Sequence, residues 1–224
     1  MPQGIIGQLD QRGFFKNFPM EIKVRLGTVS QAISIKDKEI LYQAGDEPRG
    51  IFGVLRGCIK LSTEDSQGKY YLYGLAQPGW WFSEVPALDG APHTQIASAV
   101  GDTQLILIPR KELINILDEH PELYKEVVIG LCKRLRIAGS LMEETAFSSL
   151  AIRLAKLFLR LHKNRGDSPT KLSQEELAAS LGVTRQSIHR ILKEWQKDSW
   201  ISIGYGDVDV LKPERLQELV DASE

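Results

Sequence analysis

The chain changes its hydrophobic period near residue 121, and that change limits the folds open to it. Over residues 30–110 the apolar residues come in short runs, "GIFGVLRGCIKLST", "KYYLYGLAQ", "TQIASAV" and "TQLILIP". Runs of that length, rich in β-branched, aromatic and aliphatic side chains, are strand signals. Between them lie "AGDEPRG", "EDSQGK" and "LDGAPH", whose glycine, proline and aspartate supply turns. The pattern predicts an all-β sandwich, jelly roll or barrel. Short helical pieces are expected at "QRGFFKNFP" before it and "PRKELINILDEHPEL" after it.

Beyond residue 121 the spacing is helical. Val128, Leu131, Leu135, Ala138, Met142 and Thr145 recur at alternating intervals of three and four, the seam of a paired helix. About 25 residues at 1.5 Å each make a rod of roughly 38 Å. Polar residues flank the stripe at Lys133, Arg134, Arg136, Glu143 and Glu144, which favours pairing with a second copy over packing on the β domain. The rod breaks at "AFSS", where Ser148 or Ser149 can cap the amphipathic helix "LAIRLAKLFLRLHKN". The expected organisation is α+β in three parts. Residues 1–120 form a jelly-roll-like β-roll, 121–147 a dimerisation helix and hinge, and 148–224 a winged helix-turn-helix.

The last part rests on "KLSQEELAASLGVTRQSIHRILKEW". Ser173 and Glu176 stand at capping-box spacing. Leu177, Ala178 and Leu181 give a buried face, and Gly182 falls where a tight inter-helix turn needs an unhindered backbone. Thr184 can cap a second helix that buries Ile188, Ile191 and Leu192. These offsets describe a helix-turn-helix. Arg185, Gln186, His189, Arg190 and Lys193 are left outward, with Thr184 and Ser187 at the same end. Arginine suits guanine, glutamine adenine and lysine phosphate, and the N-terminal end of such a helix meets base edges. "WISIGYGDVDVL" then reads as a two-stranded wing.

Charge agrees with that reading. The 224 residues carry 28 basic and 29 acidic side chains, a net charge of -1 that hides an asymmetry. Residues 1–145 hold 16 basic and 18 acidic residues, whereas 146–200 hold 10 and 5. A surface facing a polyanion is the expectation, with Arg153 and Lys156 as phosphate contacts beside the recognition helix. No apolar run approaches a membrane span, and the N-terminus lacks a secretory pattern. Cys58 and Cys132 form no CxxC pair, so a cytoplasmic protein without disulfides is expected. His93 is the one histidine in the β region, too little for a cupin-type metal enzyme. No catalytic or metal site is expected.

The chain resembles the CRP/FNR family of bacterial transcription regulators over essentially its whole length. "YQAGDEPRGIFGVLRGCIKL" is similar to the family's glycine-bearing turn and strand through Gly45, Asp46 and Gly57, and "TRQSIHRILKEW" to its recognition helix. The resemblance implies a homodimer on a near-palindromic site in double-stranded promoter DNA, switched by a small-molecule effector in the β-roll. RNA polymerase is a further implied partner, and "NRGDSPT" is a candidate contact segment.

Departures from the family pattern bear on the effector. The cyclic-AMP-binding members hold the phosphate in a cassette with a glycine–glutamate pair, then an arginine and a serine. Here "GWWFSEVPALDGAPHTQIA" covers that cassette. Glu84 matches the glutamate, Ser83 replaces the glycine, and His93 and Thr94 stand for the arginine and serine. Losing the arginine removes a fixed, bidentate phosphate clamp. On the long helix Ala138 and Gly139, followed by Met142, occupy the adenine-reading wall without side-chain hydroxyls. The expected effector is therefore unknown and not cyclic AMP. Two cysteines are too few for an iron–sulfur cluster. A haem sensor using His93, a thiol switch using Cys58 and Cys132, and a ligand-independent regulator are the alternatives. A nucleotide-sensing interaction module that binds no DNA is a more distant one. Trp80 and Trp81 are candidates to line an apolar or aromatic-ligand pocket; the alternative makes one of them core and the other a plug of the pocket.

Overall fold

The computed structural model describes residues 7, 14–66, 70–165, 172–204 and 208–222, with the side chains of 163–165 excepted. It divides into two compact units, residues 1–135 and 136–224. Among the described residues no helix is long and apolar enough to cross a membrane.

The first unit is built on one antiparallel sheet. Its strands are β1 (Gln31–Ile35), β2 (Ile40–Tyr42), β3 (Gly50–Glu64), β4 (Tyr70–Ala76), β5 (Trp81–Phe82) and β6 (Ile96–Pro109). The order is β1-β6-β3-β4, with β2 paired to β6 and β5 to β3. Three helices accompany it, α1 (Met20–Val29), α2 (Glu84–Asp89) and α3 (Arg110–Glu119). Alternation along β6 sorts its side chains into two cores. Ile106 and Ile108 join Phe15, Leu26, Trp81 and Leu113 under the helices. Leu105 and Leu107 join Tyr42, Phe52, Val54 and Phe82 in the second core.

Three local expectations change. "TQIASAV" and "TQLILIP" are one strand, because Gly101 at φ +73° lets β6 continue through the bend. Residues 14–18 of "QRGFFKNFP" form turns, not helix, with Phe14, Phe15 and Phe18 buried as core anchors. Residues 11–13 lie outside the described residues. A helix the pattern did not announce, α1, begins after Pro19. Gly57 sits at φ +84° within the register shift of β3 between Arg56 and Cys58, where an added Cβ would lie 2.4 Å from Thr103 Oγ1. That hydroxyl accepts from Cys58 N at 3.2 Å, so the bulge requires glycine.

Helix α4 runs from Leu123 to Phe147, 25 residues. Leu123 and Val127 are buried against the core, and Leu131 packs on it. Val128, Leu135 and Met142 of the stripe are 54%, 74% and 74% exposed. Ile137 and Leu141 beside them are exposed as well. The second unit continues with α5 (Leu150–Arg165), α6 (Gln174–Leu181), α7 (Arg185–Lys197), β7 (Ile201–Ile203), β8 (Val208–Val210) and α8 (Pro213–Asp221). Ser149 Oγ accepts from Ile152 N at 3.4 Å, which settles the cap in favour of Ser149. Strands β7 and β8 pair from Ile201↔Val210 to Ile203↔Val208. Residues 205–207 of the wing, and 166–170 of the "NRGDSPT" segment, lie outside the described residues.

Candidate DNA interface and effector cavity

Local chemistry shapes the two helices of the turn. Ser173 accepts from Glu176 N while Glu176 accepts from Ser173 N, a complete capping box. Gly182 ends α6 in the left-handed region at φ +66°. Thr184 Oγ1 accepts from Ser187 N at 3.3 Å and starts α7. Caps of this kind contribute about 1 kcal/mol each. Helix α7 buries Ile188, Ile191, Leu192 and Trp195, and α6 buries Leu177, Ala178 and Leu181.

What α7 leaves outward is polar. Thr184, Arg185, Gln186, His189, Arg190 and Lys193 are all exposed. Ser187 is half-buried, and its hydroxyl lies 2.9 Å from that of Thr184. His189 Nδ1 lies 3.1 Å from Gln174 Oε1, which ties the ring back to the start of α6. On α5, Lys156 is half-buried, and Arg153 donates from Nη2 to the carbonyl of Leu181 at 2.6 Å. Arg153 thus closes the C-terminal end of α6, whose last carbonyls have no intrahelical partner. Arg160 pairs with Glu144 at 3.1 Å. The base of the wing is packed by Trp200, stacked on Trp195 and covered by Arg215.

The first unit contains a cavity of about 430 Å³. The cassette residues Ser83, Glu84, His93 and Thr94 line it, and Ala138, Gly139 and Met142 are not among its lining residues. Ser83 holds φ +70° at the N-terminus of α2, the left-handed region where glycine is at ease. The side chain costs about 1–2 kcal/mol there. Its hydroxyl donates to Gly50 O at 2.9 Å, which offsets part of that cost. His93 is buried, with its ring stacked on Tyr42 at 3.6 Å between centroids. Burial holds the imidazole below its ordinary pKa, against the pull of Asp46. It is therefore neutral near pH 7 and supplies no positive charge to the cavity.

Glu84 is buried too, and burial pushes its carboxyl above the usual range while Arg134 pulls it back. Arg134 Nε lies 2.5 Å from Glu84 Oε1, and Arg134 Nη2 donates to Trp81 O at 2.9 Å. Trp81 is 2% exposed and packs edge-on to Phe15, while Trp80 is 39% exposed. Cys58 is buried and Cys132 exposed.

Known proteins carry the same combination. Residues 32–120 match the cyclic nucleotide-binding domain, and residues 152–219 the Crp-like helix-turn-helix domain. The transcriptional regulator SdrP of Thermus thermophilus is 29% identical over 202 residues, covering 87% of this chain and 96% of that protein. The cyclic AMP receptor protein of the same organism is 26% identical over 201 residues, covering 90% and 93%. A solved CRP/FNR-family transcriptional regulator, also from Thermus thermophilus, superposes with a TM-score of 0.70 at 27% identity, covering 87% of this chain and all of that one. The chain belongs to the CRP/FNR family.

As a CRP/FNR protein it is a DNA-binding regulator of transcription with a cyclic-nucleotide-binding-type domain. Its cavity nonetheless contains a cation that reading the cassette alone missed. Arg134 was visible only as a polar flank of the helical stripe. The available signal was helical spacing. Arg134 precedes Ala138 by four residues and so shares its face.

Proposed function

We propose that the protein is a homodimeric, sequence-specific transcription regulator whose β domain answers to a small molecule other than cyclic AMP. The observation that carries the DNA reading is the outward face of α7, where Arg185, Gln186, His189, Arg190 and Lys193 stand exposed on a fully capped helix. In this reading residues 1–120 sense the effector, 121–147 pair two copies and act as the hinge, and 148–224 bind DNA. The exposed Val128, Leu135 and Met142 support the pairing, since apolar side chains at heptad spacing gain most from a symmetric partner. Arg185 and Arg190 read guanines, Gln186 reads adenine, and Lys193, Lys156 and the uncommitted part of Arg153 meet phosphate. The protein works in the cytoplasm, on near-palindromic promoter sites where RNA polymerase is the further partner. It has no catalytic role.

Neutral His93 in place of the arginine supports exclusion of cyclic AMP. Fluorescence anisotropy with the native upstream duplex tests the DNA function. Two half-sites about 34–36 Å apart are expected. Lys193→Ala weakens all DNA alike and flattens the salt slope by about one unit. Equal affinity for the upstream fragment and random duplex would remove the reading. Calorimetry with cyclic AMP showing tight binding that strengthens the DNA complex would reverse the exclusion.

A further inference from the structure

The charges lining the cavity are Glu84, Asp89 and Arg134, with His93 neutral. Their sum is one negative charge. An anionic ligand adds a second, which the like charges of the lining oppose. The polar and apolar walls come from different parts of the fold. Glu84 and Arg134 sit together as an ion pair, while Leu61, Tyr73, Leu75 and Ala76 come from β3 and β4. Tyr73 and Trp80 are partly exposed, at 53% and 39%, and give the cavity aromatic surface for an apolar body. A volume of about 430 Å³ falls in the range of small-molecule sites.

The ion pair itself retains binding capacity. Arg134 touches Glu84 through Nε and Trp81 O through Nη2, and no partner is present for Nη1 among the described residues. The contact of Glu84 with the guanidinium is made through Oε1. A ligand carrying adjacent positive and negative groups can add two ion pairs and leave the net charge unchanged. A sugar matches the charge as well, but its polar groups ring the whole molecule, whereas this lining concentrates charge at the Glu84–Arg134 pair.

We propose that the effector is a zwitterionic amino acid with a large apolar side chain, its carboxylate on Arg134, its ammonium on Glu84 and its body against Tyr73 and Trp80. The inference rests on the effector-gated reading above and names the ligand class of that site. Because Arg134 lies on α4, occupancy would act directly on the helix that leaves the β domain.

Thermal unfolding of the full chain with L-tryptophan, L-phenylalanine and L-leucine tests it. At ten times its dissociation constant a ligand raises the midpoint of a chain this size by about 3–6 °C. Whichever amino acid acts most strongly is then compared with its des-amino acid and its decarboxylated amine. Each analogue should bind at least tenfold more weakly. Arg134→Gln should weaken the amino acid at least tenfold. Arg134→Lys should restore part of the loss, and its own unfolding midpoint reports whether the variant is folded. No shift with any of the three amino acids overturns the proposal. So does equal binding of the des-amino acid, which points to an anion site, or binding of D-glucose instead, which points to a polyol site. A parallel gel shift keeps the two readings apart. A chain that binds its upstream DNA but ignores amino acids remains a regulator with another effector or none. A chain that binds an amino acid but no DNA keeps this site and loses the DNA function.

Discussion

The recognition helix and the cavity cassette are both short segments of one chain, and they organise their chemistry in opposite ways. On α7 the candidate base-reading side chains point outward from a helix whose N-terminus is capped by near neighbours, Thr184 with Ser187. In the cassette the candidate binding groups point inward and find their partners elsewhere. His93 stacks on Tyr42, and Glu84 meets Arg134 fifty positions along the chain. A helix face carries its meaning in local spacing. A cavity acquires its meaning only when the chain closes around it.

That difference can be broken at several points. The largest effect is expected at α4, where the proposed pairing of two copies is made. Leu135→Glu puts a charge against its own symmetry mate, and burying an unpaired charge costs several kcal/mol. Sedimentation should show a monomer, with specific DNA binding lost. A Leu135→Glu protein that remains dimeric and binds its site would show that the exposed stripe is not the interface.

Next in size is Arg190→Ala, which removes one proposed guanine contact from the outward face of α7. A bidentate base contact contributes about 1–3 kcal/mol of discrimination, and a dimer loses two. Thermal stability should not change, since Arg190 is exposed. A fall in the unfolding midpoint would mean that α7 is less self-contained than its caps suggest.

Gln186→Glu should change preference rather than strength. Glutamate accepts from the cytosine amino group, whereas glutamine pairs with the adenine edge. Selection from random DNA should move one base position per half-site by about 1–3 kcal/mol and leave the flanking guanines in place. Identical selected sites for both proteins would transfer the specificity to Ser187, His189 or DNA shape.

The smallest effect belongs to the cassette and appears only as a pH dependence. Folded His93 resists protonation, while the unfolded chain takes its proton near pH 6.5. Between the two values the unfolded state binds more protons, so stability is lost as pH falls below about 6.5. His93→Phe keeps a flat ring on Tyr42 and removes that proton. Denaturant midpoints at pH 5 and pH 7.5 should lie closer together in the variant than in the parent. An unchanged gap would assign the acid sensitivity to other groups.

Much of the architecture could be read from spacing, because it follows from interactions a few residues apart. The capping box at Ser173, the left-handed Gly182 and the buried Ile188, Ile191 and Leu192 all obey helical periodicity. The short apolar runs in β3 and β6 announced the sheet, although they split β6 at Gly101, where glycine let the strand continue. Other facts needed the folded chain. Leu131 has the spacing of its seam neighbours yet packs on the core of its own β domain. Arg153 has the look of a phosphate contact yet donates to Leu181 O. Arg134 has the look of a solvated flank yet holds the buried carboxylate of Glu84. The sequence alone therefore determined the recognition helix, its caps and its outward side chains, since backbone hydrogen bonding and burial period are local. Only the tertiary structure decided the charge and shape of the cavity, because its energies depend on which distant groups come to share one space, and no spacing rule encodes that.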